Sequence, residues 1–249
     1  MSSFSPPDDK EIERIRNCFD GEACDFCKDY EKSGLSKSSQ ILLDRLSEYG
    51  LDGRRLLDLG CGVGSFSFEA LKRGVSSSVG LDLSPEMIAS ASKLSEQDGL
   101  GGKASFDVGD AAEVDLPPAE IVVLDKVMCC YPRIDDLLRN SSGASLEYYG
   151  FVIPRLEGAL RLATTPIVFV INMISRLMRR SLFYAHDIAK IDMTLREKHL
   201  IRIFRRASGI WLVFIYRRIS DGRGVGPTWR KPWYSLCLSS DMTAGRGDP

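Results

Sequence analysis

The sequence lacks the features that mark secreted proteins and structural zinc sites. Its first ten residues contain no apolar core of the kind a secretory leader needs, and they are too acidic for an arginine- and serine-rich transit peptide. Cys24 and Cys27 form one Cys-x-x-Cys pair, but the second pair that would complete a zinc site is absent. Their spacing is also that of neighbours on a helix, where cysteine packs as a small apolar residue. We therefore expect a cytoplasmic protein with seven reduced cysteines and no bound metal.

An uninterrupted apolar run of membrane-spanning length is also missing. Residues 158–178 approach the length of about 20 residues that a bilayer requires. Pro166 and Asn172 interrupt them, however, and three arginines crowd their end. We interpret residues 156–198 as an insertion that is buried or covers a substrate. An interfacial segment in peripheral contact with a membrane is one alternative, and a true membrane span is the other.

Charged residues are unevenly distributed, although the net charge is only −1. Residues 1–150 carry 16 lysines and arginines against 27 acidic residues, whereas residues 151–249 carry 17 against 7. The basic half could face an anionic substrate, a membrane or nucleic acid, or it could complement the acidic half within one fold. Its basic residues form no stripe interleaved with aromatic side chains, so the sequence argues against nucleic acid as a partner.

Strands and helices alternate along most of the chain. Helical periodicity over residues 8–50 predicts a helical N-terminal cap, residues 1–50. We predict strands at 55–59, 78–81, 104–108, 121–124, 149–153, 199–204 and 211–216, with helices at 65–73, 84–96 and 134–139. This order predicts an α/β fold over residues 51–218, a Rossmann-like, doubly wound sheet of seven mostly parallel strands. Residues 219–249, which show no periodicity, are expected to form a flexible tail.

Three alternating glycines follow the first predicted strand, in the segment Leu56-Leu-Asp-Leu-Gly-Cys-Gly-Val-Gly64. Glycine lets the backbone turn sharply and approach a ligand closely, because it has no Cβ. A dinucleotide-binding motif would place its third glycine at residue 65, which is serine here. Asp58 would also repel a phosphate. The motif therefore favours a ligand with a cationic amino acid moiety over a pyrophosphate.

The glycine motif resembles the signature of class I S-adenosylmethionine-dependent methyltransferases. Three further segments match that family in the expected order, Val79–Ser84, Phe106–Ala112 and Ile121–Val127, and the resemblance covers residues 20–218. It implies that S-adenosylmethionine is the cofactor.

The resemblance also implies roles for individual residues. The backbone of Gly60, Cys61 and Gly62 would wrap the methionine portion of the cofactor, and Asp58 would attract its ammonium group. Asp82, followed by Leu83, would bind the ribose hydroxyls, the role an acidic residue has at this position in dinucleotide folds.

Two more pairs complete the implied cofactor site. Asp110 and Ala111 would recognise the adenine edge. Asp125 and Lys126, at the end of the fourth strand, would stand where the methionine end meets the methyl acceptor, because ligands in such sheets bind at the carboxyl ends of strands.

The acceptor side is less well defined. The segments Asp29–Gly34 and Asp125–Pro132 resemble those of methyltransferases related to the magnesium-protoporphyrin O-methyltransferases, but Cys130 replaces the histidine of their His-Tyr-Pro. We therefore assign the chain to the general family and do not assign a porphyrin carboxylate as its substrate.

Tyr131 and His186 are the candidate catalytic residues, and His199 is expected to be structural. Adjacent Cys129 and Cys130 could indicate a thiophilic substrate, although the surrounding residues do not match arsenic-methylating relatives.

The sequence leads to three functional hypotheses. The first is an enzyme that methylates a small molecule, either apolar or anionic. The second is a catalytically silent cofactor-binding module that acts through partners. The third is a membrane-associated methyltransferase of a lipid or quinone.

Overall fold

The computed structural model describes residues 9–155 and 181–219, with residues 168, 170, 172–175 and 177 between them. The elements in chain order are α1 (Asp9–Ser33), α2 (Lys37–Tyr49), β1 (Arg55–Leu59), α3 (Ser65–Lys72), β2 (Ser77–Asp82), α4 (Pro85–Gln97), β3 (Ala104–Val108), β4 (Ala119–Asp125), a 3-10 turn (Met128–Cys130), α5 (Ile134–Ala144), β5 (Ser145–Pro154), α6 (Ile188–Glu197), β6 (Leu200–Ser208) and β7 (Trp211–Arg218).

The seven strands form one sheet in the order β3-β2-β1-β4-β5-β7-β6. The pairs β1–β2, β2–β3, β1–β4 and β4–β5 are parallel, and β7 is antiparallel to both β5 and β6. The strand order changes direction at β1. Strands β2 and β3 lie on one side of β1, and after β3 the chain crosses to β4 on its other side. The predicted α/β, doubly wound, mostly parallel fold is therefore confirmed.

Alternate strand residues pack on opposite faces of the sheet, as the two-residue period of a strand requires. Leu56 of β1 packs with α2 and α3, and its neighbour Leu57 packs in the cluster that includes buried residues of α5 and α6. Because both faces are covered, β4 contains the unbroken apolar run 121–124, in which Val122 and Val123 are fully buried.

The N-terminal helices have different positions. Helix α2 is capped by the Ser36 hydroxyl, which accepts a hydrogen bond from the Ser39 amide, and it buries Leu42 and Leu43 in the core. Helix α1 lies against α4, where Asp20 accepts a hydrogen bond from the Ser84 hydroxyl at 2.5 Å. Helix α1 is thereby fixed beside the carboxyl end of β2.

The C-terminal part of the fold corrects one prediction. His199 does not open a strand: it lies in a turn with φ of 60°, and β6 begins at Leu200. A positive φ is costly for a non-glycine residue and incompatible with a regular strand. Helix α6, within the predicted 156–198 insertion, buries Ile191 and Leu195 in the core of the sheet.

Two predictions fall largely on residues outside those described. Most of the apolar run 158–178 and residues 220–249 of the predicted tail belong to this group. Within the described part of the chain, every helix is too short or too polar to cross a membrane.

Candidate functional site

A cavity of about 520 Å³ opens at the carboxyl ends of β1, β2, β3 and β4. Helix α1 and the turn between α1 and α2 supply its other wall, with apolar side chains that include Ile15, Phe19 and Leu35. All nine residues that sequence analysis assigned to the cofactor line it, together with Tyr131: Asp58, Gly60, Cys61, Gly62, Asp82, Leu83, Asp110, Ala111 and Lys126. The structure therefore brings these predicted residues into one site.

The glycine segment forms a tight turn between β1 and α3. Gly60, Gly62 and Gly64 all have positive φ, at 68°, 53° and 81°. A Cβ on Gly60 would lie 2.4 Å from Val127 Cγ2, whereas a Cβ on Gly62 would meet nothing closer than 3.9 Å. The first glycine is thus required by packing against the loop after β4. The second leaves open space where the backbone borders the cavity.

Asp58 is a buried carboxyl at the floor of the cavity. It is 1% exposed, and its Oδ2 accepts a hydrogen bond of 2.7 Å from the Ser67 hydroxyl, which in turn receives one from Ser78. Burial raises the pKa of Asp58 to about 7, and the Ser67 hydrogen bond only partly opposes this. The carboxyl lacks a cationic partner among these contacts, and a cationic ligand would stabilise its ionised form.

Asp82, the last residue of β2, holds the glycine turn in place through hydrogen bonds. Its Oδ2 accepts from the Gly62 amide and its Oδ1 from the Ser84 amide, both at 2.9 Å. Burial raises its pKa despite these hydrogen bonds. Each carboxylate oxygen can accept a second hydrogen bond, so Asp82 retains capacity for ligand hydroxyls. The neighbouring Leu83 carbonyl accepts from Arg16 of α1 at 3.2 Å.

A network of polar groups surrounds Asp110 after β3. Asp110 accepts hydrogen bonds from the Tyr131 hydroxyl at 2.5 Å, from the Ala112 amide at 2.9 Å and from the Arg133 guanidinium. Burial and the neighbouring Asp110 raise the pKa of Tyr131, so its phenol is neutral and acts as a donor. Tyr131 therefore positions Asp110 in this structure, and its catalytic role stays a prediction.

Asp125 and Lys126 place opposite charges side by side after β4. The Oδ1 atom of Asp125 is buried without a hydrogen-bond partner among the described residues, and burial raises the pKa of this carboxyl. Lys126 Nζ lies 3.9 Å from that atom and donates to the Ser36 and Ser39 hydroxyls at 2.6 and 3.1 Å. Lys126 has φ of 62°, a conformation that is uncommon for non-glycine residues.

His186 lies outside the cavity lining. Its Nε2 approaches the carbonyl oxygens of Met128 at 2.8 Å and Tyr131 at 3.1 Å, and its ring stacks on Tyr184. Burial lowers its pKa. His186 thus braces the segment that carries Tyr131 into the cavity, and the structure gives it no direct contact with the space where a ligand would bind.

Several lining residues were not identified from the sequence. Asp29 and Tyr30 come from α1, Ser36 caps α2, Ser39 lies in α2 and Trp211 comes from β7. Asp29 and Tyr30 lie in the segment Asp29–Gly34, whose resemblance to methyltransferases assigned no role to single residues. No local motif marks the other three, which reach the site through the packing of distant elements. Within the described part of the chain, Lys126 is the one cationic side chain of the lining, against five aspartates.

The architecture defines the class of protein. Magnesium protoporphyrin IX methyltransferase from Synechocystis PCC 6803, solved with bound S-adenosylhomocysteine, has the same fold, with a TM-score of 0.65 at 19% identity over 85% of this chain and all of that one. The fold is that of class I methyltransferases.

The family follows from the sequence comparisons. The methyltransferase domain family matches residues 51–208, more than half of the chain, and the chain belongs to that family. The resemblance indicated by the motifs is confirmed.

Curated relatives match over shorter segments. The ribosomal protein L11 methyltransferase of Histophilus somni (strain 2336) is 28% identical over 119 residues, which are 46% of this chain and 40% of that protein. Ajmaline N-methyltransferase of Rauvolfia serpentina is 34% identical over 76 residues, which are 30% of this chain and 26% of that protein. The matched region spans less than half the length of these relatives.

Proposed function

We propose that this protein binds S-adenosylmethionine in the cavity at the strand ends and transfers its methyl group to a small-molecule acceptor. The observation that carries the proposal is the cluster of buried carboxyl groups of Asp58, Asp82 and Asp125, whose negative charge is disfavoured by burial, so that all three pKa values are raised. The Oδ1 atom of Asp125, which is buried without a hydrogen-bond partner among the described residues, further supports the proposal. A ligand with an ammonium and a sulfonium group would compensate this charge.

The residues around the glycine turn fit the methionine portion. Asp58 and Asp125 would attract the ammonium group, and Lys126 would attract the carboxylate, so that the adjacent opposite charges after β4 match a zwitterion. Gly62 would admit the chain of the ligand close to the backbone. When bound, S-adenosylmethionine supplies an electrophilic methyl group on its sulfonium sulfur.

Asp82 and Asp110 fit the adenosine portion. The free acceptor capacity of Asp82 suits the ribose hydroxyls. Asp110 is held in place by Tyr131 and Arg133 and lies beside Ala111 in the lining, where it would accept from the exocyclic amine of adenine. These assignments agree with those implied by the sequence motifs.

The apolar walls and the acidic charge of the cavity together indicate which type of methyl acceptor it favours. Helix α1 covers the cavity with Ile15, Phe19 and Phe26, and these side chains would exclude water from the reacting groups. Lys126 is already committed to two serines and to the proposed carboxylate contact. Of the two acceptors expected from the sequence, the neutral, apolar one is therefore favoured over the anionic one.

The test is transfer of a labelled methyl group from S-adenosylmethionine into a cell lysate that is then separated into small molecules, lipids, protein and nucleic acid. Label in the small-molecule fraction supports the proposal. Label in protein would favour an activity like that of the L11 methyltransferases, and label in lipid would favour the membrane-associated alternative. Tight cofactor binding without transfer would identify a silent module.

A matched pair of variants makes this assay specific. Asp125→Asn keeps the shape of the side chain and removes the charge that faces the cavity, so transfer should fall by at least about tenfold, corresponding to the loss of one charged hydrogen bond. Asp115→Asn makes the same chemical change at an exposed position and should leave transfer unchanged.

A further inference from the structure

The thiols of Cys129 and Cys130 form a pair that the proposed methyl transfer does not use. Both residues line the cavity, in the 3-10 turn after β4, and their Sγ atoms lie 3.7 Å apart. Cys129 Sγ also lies 3.2 Å from the Lys126 carbonyl oxygen. Two sulfur atoms therefore meet at the wall of a ligand-sized space.

The separation of the sulfurs does not suit a disulfide. A disulfide requires sulfurs at about 2.05 Å and Cα atoms usually at least about 4.4 Å apart, whereas Cα atoms of neighbouring residues joined by a trans peptide are only about 3.8 Å apart. A single bridging ion has a different requirement. Two sulfurs bound to one tetrahedral ion, each at the roughly 2.3 Å of a zinc–sulfur bond, lie about 3.8 Å from each other. The observed separation matches that value.

We propose that Cys129 and Cys130 chelate a soft, thiophilic divalent metal ion at the wall of the cavity. Thiolate ligands select such ions over magnesium or calcium. Among the described residues no group of three or more histidine, cysteine or acidic side chains could hold a metal. In this proposal, water or an acceptor molecule supplies the remaining donors. Binding follows a balanced exchange, in which one M²⁺ replaces two thiol protons and forms two metal–sulfur bonds.

Cadmium titration of the reduced protein tests the proposal. Ultraviolet absorption from thiolate-to-metal charge transfer reports the bonds, and a pH indicator in weak buffer reports the protons. The competing pair Cys24 and Cys27 is removed first, because Cys24 is exposed. The Cys24→Ser/Cys27→Ser variant should bind one Cd²⁺ per chain and release two protons. Adding Cys129→Ser or Cys130→Ser should each lower the affinity at least about tenfold.

Two results would overturn the proposal: no charge-transfer band in the Cys24→Ser/Cys27→Ser variant, or an undiminished band after Cys129 and Cys130 are both replaced by serine. Circular dichroism of every variant shows that the chain is still folded. Because the metal measurement needs no methyl acceptor, its failure is distinguishable from failure of the proposed function.

Discussion

Replacing Asp58 with asparagine should stabilise the ligand-free protein at neutral and alkaline pH. The side chain is buried, and its pKa of about 7 in the folded chain stands above its ordinary value of 3.8. Between these two values the folded chain holds a proton that the unfolded chain has released. The free energy of unfolding therefore falls as pH rises through this window, and the loss is complete above about pH 7.

The size of the effect follows from the pKa difference. A shift of about 3 units corresponds to about 4 kcal/mol of differential stability. Asparagine carries no charge at any pH, so the variant does not show this fall in unfolding free energy as pH rises. The difference in unfolding free energy between Asp58→Asn and the wild type should therefore grow by about 4 kcal/mol between pH 4 and pH 8.

Urea denaturation of both proteins at intervals over this pH range measures the difference in unfolding free energy. The contributions of the other titratable groups are common to both proteins and largely cancel in that difference. The exposed substitution Asp115→Asn serves as the matched control and should give a flat difference. A flat difference for Asp58→Asn as well would show that the Asp58 carboxyl is ionised in the folded protein throughout the range, and it would refute the electrostatic reasoning.

Three further predictions concern the same site. Binding of S-adenosylhomocysteine should tighten as pH rises from 6 to 8, because the ligand ammonium stabilises the carboxylate of a buried acid with pKa about 7; equal calorimetric affinities would contradict this. Tyr131→Phe removes a hydrogen bond to Asp110 and should lower the unfolding free energy by about 2 kcal/mol in urea titrations, and an unchanged midpoint would count against it. Gly60→Ala should cost about 3 kcal/mol through its positive φ and its clash with Val127. By contrast, Gly21→Ala in α1 meets no neighbour and should stabilise the protein by about 1 kcal/mol; similar melting curves for the two variants would refute the argument.

Local sequence carried enough information to predict the cofactor half of the site. Glycine permits the positive φ values that Gly60, Gly62 and Gly64 adopt, and the capping of α4 follows from Ser84 and Pro85. The acidic residues at strand ends could be placed together because parallel strands end at the same edge of a sheet.

The wall that α1 and α2 contribute to the site depends on contacts between distant parts of the chain. Lys126 donates to Ser36, which lies 90 residues earlier, and Asp20 bonds to Ser84 across 64 residues. No periodicity or motif encodes such pairs, because they arise only when α1 and α2 dock on the sheet. The misplaced start of β6 has a local cause: the positive φ of His199 is set by the turn from α6 and is invisible in a β-prone sequence.

The most direct test of the central claim is calorimetric titration of the folded chain with S-adenosylhomocysteine, beside the Asp82→Ala and Asp125→Asn variants. We predict one site per chain in the wild type and a loss of affinity of at least about tenfold in each variant, since both carboxylates would contact the ligand. Absence of binding to a wild-type protein whose circular dichroism shows it to be folded would contradict the account.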